Sequence, residues 1–291
     1  MHMPRLPLVR LARTPLVRLA RTSVVRLART PLVRLARTPL VKLAGLLLVS
    51  LLLSPGARAQ APTAPESGQF VIFDQSVPVA HERYRYQFMG DSLVVSAMTQ
   101  RQFQDDKGQR HPFVKSMVLV VDARDLGLMR YLSNQDFHGH KAVRGLLPGD
   151  TVMTYYAEYD GVGSADRVVQ PPGRLFVLDP QLFTLFDVLC RSLAGKQFEM
   201  RRVQLLALAP DTLTLPIATV TVGTPDTLTL GSRRVPTRRY ALEDQGVRFE
   251  LWADERGRML RMANEPSGLS VERVPDPRPA TAPRRRPARR H

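Results

Sequence analysis

Alternating apolar and polar positions run through the chain from residue 68 onward and predict a series of antiparallel strands. Gly68–Phe73 (GQFVIF) opens the series. Arg83–Phe88 (RYRYQF) then sets Tyr84, Tyr86 and Phe88 on one face and Arg83, Arg85 and Gln87 on the other. Gly90-Asp91 is a hairpin turn, and Ser92–Phe103 returns from it with Leu93, Val95 and Ala97 alternating. Asp105–Gly108 is a second turn, followed by strands over 113–123, 127–137 and 151–159. After residue 195 the period returns over 198–208, over the twin PDTLTL stretches at 210–215 and 225–230, and over 238–242, 247–254, 258–265 and 269–274. Gly246 and Gly257 stand where three-residue hairpin loops take a left-handed residue.

One stretch breaks the two-residue period. Asp179 suits a helix N-cap, Pro180 the first helical position and Gly195 the position just past the end. Between them Leu182, Phe183, Phe186, Leu189, Cys190 and Leu193 share one side of a helical wheel, with Thr184, Asp187 and Arg191 opposite. The spacing predicts a helix over about 179–194 with one buried face. A sheet needs its apolar face covered, and this helix is the element available. The expected fold is therefore mainly β: an antiparallel curved sheet or open barrel enclosing one α-helix.

The first forty residues follow a different rule. The unit PLVRLART begins at Pro7 and recurs with small changes up to Pro39. Eight residues turn a helix roughly 80° past full turns, so the repeat forms no apolar stripe, and Pro15 and Pro31 would interrupt it. It is read as dispensable, or as lying before the true translation start near Val41. Residues 41–59 carry Lys42, an apolar run from Ala44 to Leu53 and then Ala57-Arg58-Ala59, the pattern of a secretory signal cleaved between Ala59 and Gln60. A run that short does not span a bilayer. Residues 60–67 read as a disordered linker, 68–275 as the β-rich domain, and 276–291 as a disordered Arg/Pro-rich, low-complexity tail.

This division changes the meaning of the net charge of +16. Residues 1–59 hold 11 basic and no acidic residues, and the tail holds six arginines against one aspartate. The body between them balances 25 basic against 25 acidic residues, which removes the electrostatic case for nucleic acid. The tail is suited to touching anionic surfaces. Cys190 is the single cysteine, so no internal disulfide forms, and no cysteine follows the signal to carry a lipid.

The last third adds a resemblance. Arg239-Tyr240, then Phe249-Glu250-Leu251-Trp252-Ala253-Asp254, then Gly257-Arg258-Met259-Leu260-Arg261 resemble the closing hairpins of a family of uncharacterised exported bacterial proteins, classed as a domain of unknown function. The opening strand 68–73, the His81–Phe88 strand and the Asp-started helix fit the same family, over roughly 68–275. The resemblance implies a barrel-like β domain and brings no catalytic residues.

Candidate chemistry is sparse. His138 and His140, with Asp136 nearby, are the one pair at metal-ligand spacing, but a Gly-spaced pair beside Lys141 reads as an exposed loop, and no metal is expected. The segment 160–166 lacks the rest of a phosphate or calcium loop and reads as a strand connection. Cys190 falls on the apolar helix face, where a thiolate is disfavoured. If the sheet curls, Tyr84, Tyr86, Phe88, Tyr155, Tyr156 and Tyr159 are the candidates to line an apolar pocket. The expectation is a soluble, periplasmic or extracellular, non-enzymatic module of the cell envelope without a cofactor. It would carry an apolar ligand such as a lipid, or else act as a structural or protein-interaction module.

Overall fold

The alternation resolves into one long sheet. The computed structural model describes residues 64–104, 108–208 and 213–275; the octapeptide repeat, the signal segment, the cleavage point at Ala59/Gln60 and the basic tail lie outside them. The first strands are β1 (Glu66–Asp74), β2 (Val77–Met89), β3 (Ser92–Gln104), β4 (Arg110–Asp122) and β5 (Leu128–Phe137). They continue with β6 (His140–Leu147), β7 (Val152–Tyr159), β8 (Val162–Val169) and the short β9 (Leu175–Leu178). The helix α1 (Thr184–Leu193) follows, then β10 (Met200–Leu208), β11 (Leu213–Thr214), β12 (Ile217–Val222) and β13 (Asp226–Leu230). β14 (Arg233–Asp244), β15 (Val247–Ala253), β16 (Met259–Asn264) and β17 (Leu269–Arg273) close the order.

Strands β1 to β8 form one antiparallel meander, each paired with the next. A second runs through β10, β12, β14, β15, β16 and β17. The two halves join where β1 pairs with β17, Phe70 opposite Arg273. β9 pairs with β10 in parallel, the single parallel step among the described strands. Parallel neighbours need a crossover, and α1 is that crossover. The curl brings β9 against β5, so β6, β7 and β8 overrun the seam, and β8 is exposed on both faces.

Local pattern explains most of this. On β2, Ala80, Glu82, Tyr84 and Tyr86 are buried while His81, Arg83, Arg85 and Gln87 are exposed, the two-residue period of a sheet with one wet face. The sequence reading needs correction at four strands. His140–Leu147 is a strand that the sequence reading left unassigned beyond the His138–His140 loop, and Val162–Val169 is a strand rather than a connection. β6 turns Arg144 inward between Ala142 and Leu146, which hides its alternation, and β8 has no dry face to advertise. β9 is too short to show a period, and β12 continues directly from the first PDTLTL stretch. β1 also begins at Glu66, two residues inside the segment read as linker.

The helix needs two corrections. It starts at Thr184, not at Asp179, and its side opposite the apolar stripe is not wet: Thr184 and Asp187 are fully buried. Leu182, Phe183, Phe186, Leu189, Cys190 and Leu193 are buried as well, so the helix is enclosed by the sheet on nearly every side. Burial pushes the Cys190 thiol far up, keeping it protonated. Gly195 adopts a left-handed φ of 68° just beyond the helix end.

The β15–β16 turn presses on this helix. Asp254 accepts from the Arg256 and Arg258 backbone amides and from Arg258 Nε (2.7 Å), which closes the turn around Gly257. Gly257 has a φ of 76°, and a Cβ there would meet Ala194 Cβ at 2.7 Å and Arg191 Cα at 2.8 Å. Gly257→Ala is expected to destabilise the protein by about 2–3 kcal/mol, left-handed strain added to a clash with helix backbone. Chemical denaturation checks it; an unchanged midpoint would mean the turn does not bear on the helix.

Candidate functional site

Three buried carboxylates fix the helix inside the barrel. Glu82, on the inner face of β2, takes the Phe183 and Thr184 backbone amides at 2.7 and 2.6 Å together with the Thr184 hydroxyl. Thr99 Oγ1 lies 2.8 Å from the same carboxylate and 2.7 Å from the Gln181 carbonyl. A carboxylate at the helix start satisfies orphan amides and opposes the positive end of the helix dipole. Burial nonetheless raises the Glu82 pKa, with the hydrogen bonds from Thr184, Phe183 and Thr99 working against it.

Asp179 sits one turn earlier. It accepts from Tyr131 OH (2.6 Å), Ser133 Oγ (2.9 Å) and Lys115 Nζ, with Arg144 Nη1 at 3.6 Å. Lys115 also donates to the Pro180 carbonyl (2.8 Å). Burial pulls the Lys115 pKa down, and the Asp179 carboxylate resists that shift.

Asp187 lies in the middle of α1. Arg273 Nη2 (2.6 Å), Arg191 Nε (2.9 Å), the Met259 amide (2.6 Å) and the Tyr86 hydroxyl all donate to it. Burial pushes its carboxyl up, but Arg273 and Arg191 outweigh burial and hold it below the usual range. Arg191 bridges on to Glu66 at 2.7 and 3.1 Å.

Beside the helix start lies a cavity of about 600 Å³. Ile72, Val79, Phe113, Phe186, Phe249 and Met262 give it an apolar wall contributed by both meanders and the helix. The turn Leu178–Gln181 forms another wall, held by Asp179 and Thr99. Its titratable lining residues are Asp74, Arg101 and Asp179, the last already surrounded by donors.

None of the six aromatics expected to line a pocket borders this cavity. Tyr84 and Tyr86 face inward, but their phenols join the Arg273 and Asp187 network further along the helix. Phe88 is 45% exposed at the far end of β2. Tyr155 is buried, its hydroxyl without a hydrogen-bond partner among the described residues. Tyr156 points to the other face, towards Glu158, and Tyr159 is partly exposed beside Arg144. His138 and His140 do not converge: His138 packs on the His111 ring (centroids 3.9 Å) and His140 Nδ1 lies 2.9 Å from Asp160. Among the described residues no three His, Cys, Asp or Glu side chains gather as a metal site would require.

Sequence reasoning missed Phe113, Phe249 and Arg101. The last had a visible signal, because the inward row Leu93, Val95, Ala97, Thr99 ends on a cation.

No family model matches the chain, and no curated protein matches it. Among solved structures it is similar to a β-barrel-like protein of domain of unknown function DUF1849 from Brucella abortus. The identity is 10% and the TM-score 0.47, over 72% of this chain and 94% of that one. A DUF1089 family protein from Pseudomonas aeruginosa is 12% identical with a TM-score of 0.38, again over 72% and 94%.

Proposed function

We propose that this protein binds and carries an apolar molecule such as a lipid, as an exported and non-enzymatic module of the cell envelope. The observation that carries the reading is the cavity of about 600 Å³ with its apolar wall. That volume falls within the roughly 300–1,000 Å³ of small-molecule sites, and an apolar wall with few polar groups is their usual make-up. The signal-like pattern of residues 41–59 supports export.

Straight-chain alcohols test the cavity without a charged head. From octanol upward, each added methylene is expected to tighten binding about fourfold, the equivalent of about 0.8 kcal/mol, until the cavity is filled. Affinity should then level off. Calorimetry on the full-length protein reads the series, and an absence of saturable binding along it overturns the carrier reading.

A second reading rests on β8. This strand pairs on one side with β7, and Val162 and Val169 are 79% and 76% exposed. An open strand edge with apolar ends is a place for another strand to add. Cross-linking that captures a defined envelope protein along β8, with no alcohol bound, would favour a structural or interaction module.

A further inference from the structure

The cavity wall carries one cation that is not spoken for. Arg101 lies on the inner face of β3, in register with Ala80 on β2 and Phe113 on β4, both of which also line the cavity. Its guanidinium stacks over the Phe103 ring, 3.9 Å from the centroid. Phe103 is itself held edge-on by Phe113 and Phe137, with centroids 5.7 and 5.2 Å apart. The flat face of the guanidinium is thus occupied by a braced aromatic platform. Its N–H edge is not: Arg101 Nε is buried and has no hydrogen-bond partner among the described residues. Asp74 lines the same cavity from β1 and forms no ion pair with Arg101. Among the described residues Arg174 and Arg261 also have a buried Nε without a hydrogen bond, but each has a carboxylate beside it, Asp125 at 3.2 Å and Glu272 at 3.8 Å. Lys115 and Arg144 are matched by Asp179, and Arg273 and Arg191 by Asp187.

A half-buried donor edge beside an apolar chamber is complementary to an oxyanion joined to a hydrocarbon chain. Arginine presents its donors as a fork that matches a carboxylate or phosphate, and in a partly dry site such bonds are stronger than neutral ones. We propose that the ligand is a single-chain anionic amphiphile, a long-chain carboxylate or alkyl phosphate. Its chain fills the cavity and its head is bound by Arg101. This rests on the carrier reading and adds to it the charge and position of the head.

The test compares heads on one chain length, using the full-length protein. Hexadecanoate or hexadecyl phosphate is expected to bind at least about tenfold more tightly than hexadecanol, the scale of a charge-assisted hydrogen bond. The tighter of the two names the oxyanion. Arg101→Gln should remove that advantage, and Arg101→Lys, a point charge without the fork, should keep part of it. Equal affinity for all three heads, tighter binding of hexadecyltrimethylammonium, or an anion preference that survives Arg101→Gln overturns the head-group assignment while leaving the carrier reading in place. Saturable binding of none of them overturns both. If Arg101→Gln fails to fold, Arg101→Lys carries the assignment to Arg101, and the wild-type comparison alone decides whether the head is anionic.

Discussion

Replacing Asp187 with alanine is expected to destabilise the protein by about 3–5 kcal/mol, the range for removing one member of a buried ion pair. The side chain is fully buried, and two arginines, a tyrosine hydroxyl and the Met259 amide converge on it. Without it Arg273, itself buried against Met259 and Tyr84, keeps its charge and is left with the half-exposed Glu66 carboxylate at 3.5 Å. Arg191 holds the same carboxylate at 2.7 Å and suffers less. The effect on pH dependence has a definite sign. The Asp187 pKa is held below its unfolded value, so its stabilisation is present above that value, near pH 4, and is lost as pH falls through the folded pKa. Glu82 runs the other way: its raised pKa lends stability below its unfolded pKa that is lost as pH rises through the folded one. Urea titrations across the acid range should therefore show wild-type stability falling below about pH 4. In Asp187→Ala that fall should be shallower, with the opposite Glu82 slope exposed. Parallel acid limbs in the two proteins would contradict the network drawn around Asp187.

Much of the architecture could be read from local pattern, and the exceptions share a cause. Alternation on β2, the left-handed glycines of the closing hairpins and Gly195 after the helix are settled within a few residues of chain. The helix start was misplaced because Asp179-Pro180 has the local look of a cap. The actual cap is Glu82, a hundred residues earlier, and Asp179 is drawn away by Lys115, Tyr131 and Ser133 on neighbouring strands. The polar side of the helix looked solvent-facing for a related reason. A wheel separates polar from apolar, but it does not show that polar partners wait on the opposing sheet.

The candidate pocket was illegible for a further reason. Two-residue periodicity says which way Tyr84 and Tyr86 face, and it was right about that, but it does not say what meets them there. Tyr155 and Tyr156, adjacent on one strand, had to point to opposite faces. The cavity depends on space left unfilled between Phe113 of β4, Phe249 of β15 and the turn before α1, parts brought together by the β1–β17 seam. A void between distant strands leaves no mark on any one of them. A cation ending an inward apolar row does leave one, and Arg101 is where site and sequence meet.

The second large effect concerns the turn that walls this cavity. Asp179→Asn alone is expected to destabilise by about 3–5 kcal/mol, because Lys115, only 1% exposed, would be left charged with Arg144 close by. Lys115→Met alone should be milder, since Tyr131, Ser133 and Arg144 still hold the Asp179 carboxylate. The double variant Lys115→Met/Asp179→Asn should be more stable than Asp179→Asn by itself, because Arg144 is then the one charge left facing the lost carboxylate instead of two. A double-mutant cycle measures that coupling, and additive losses would show that the two charges do not act as a pair. Stability and position then come apart. Lys115 also holds the Pro180 carbonyl, and the turn it fixes carries Leu178, Gln181 and Phe183 along the cavity wall. An apolar methionine restores packing but cannot donate to that carbonyl. Hexadecanol binding in the double variant should therefore stay weakened after stability has recovered. Recovery of both together would mean that the barrel shapes the cavity without the buried pair.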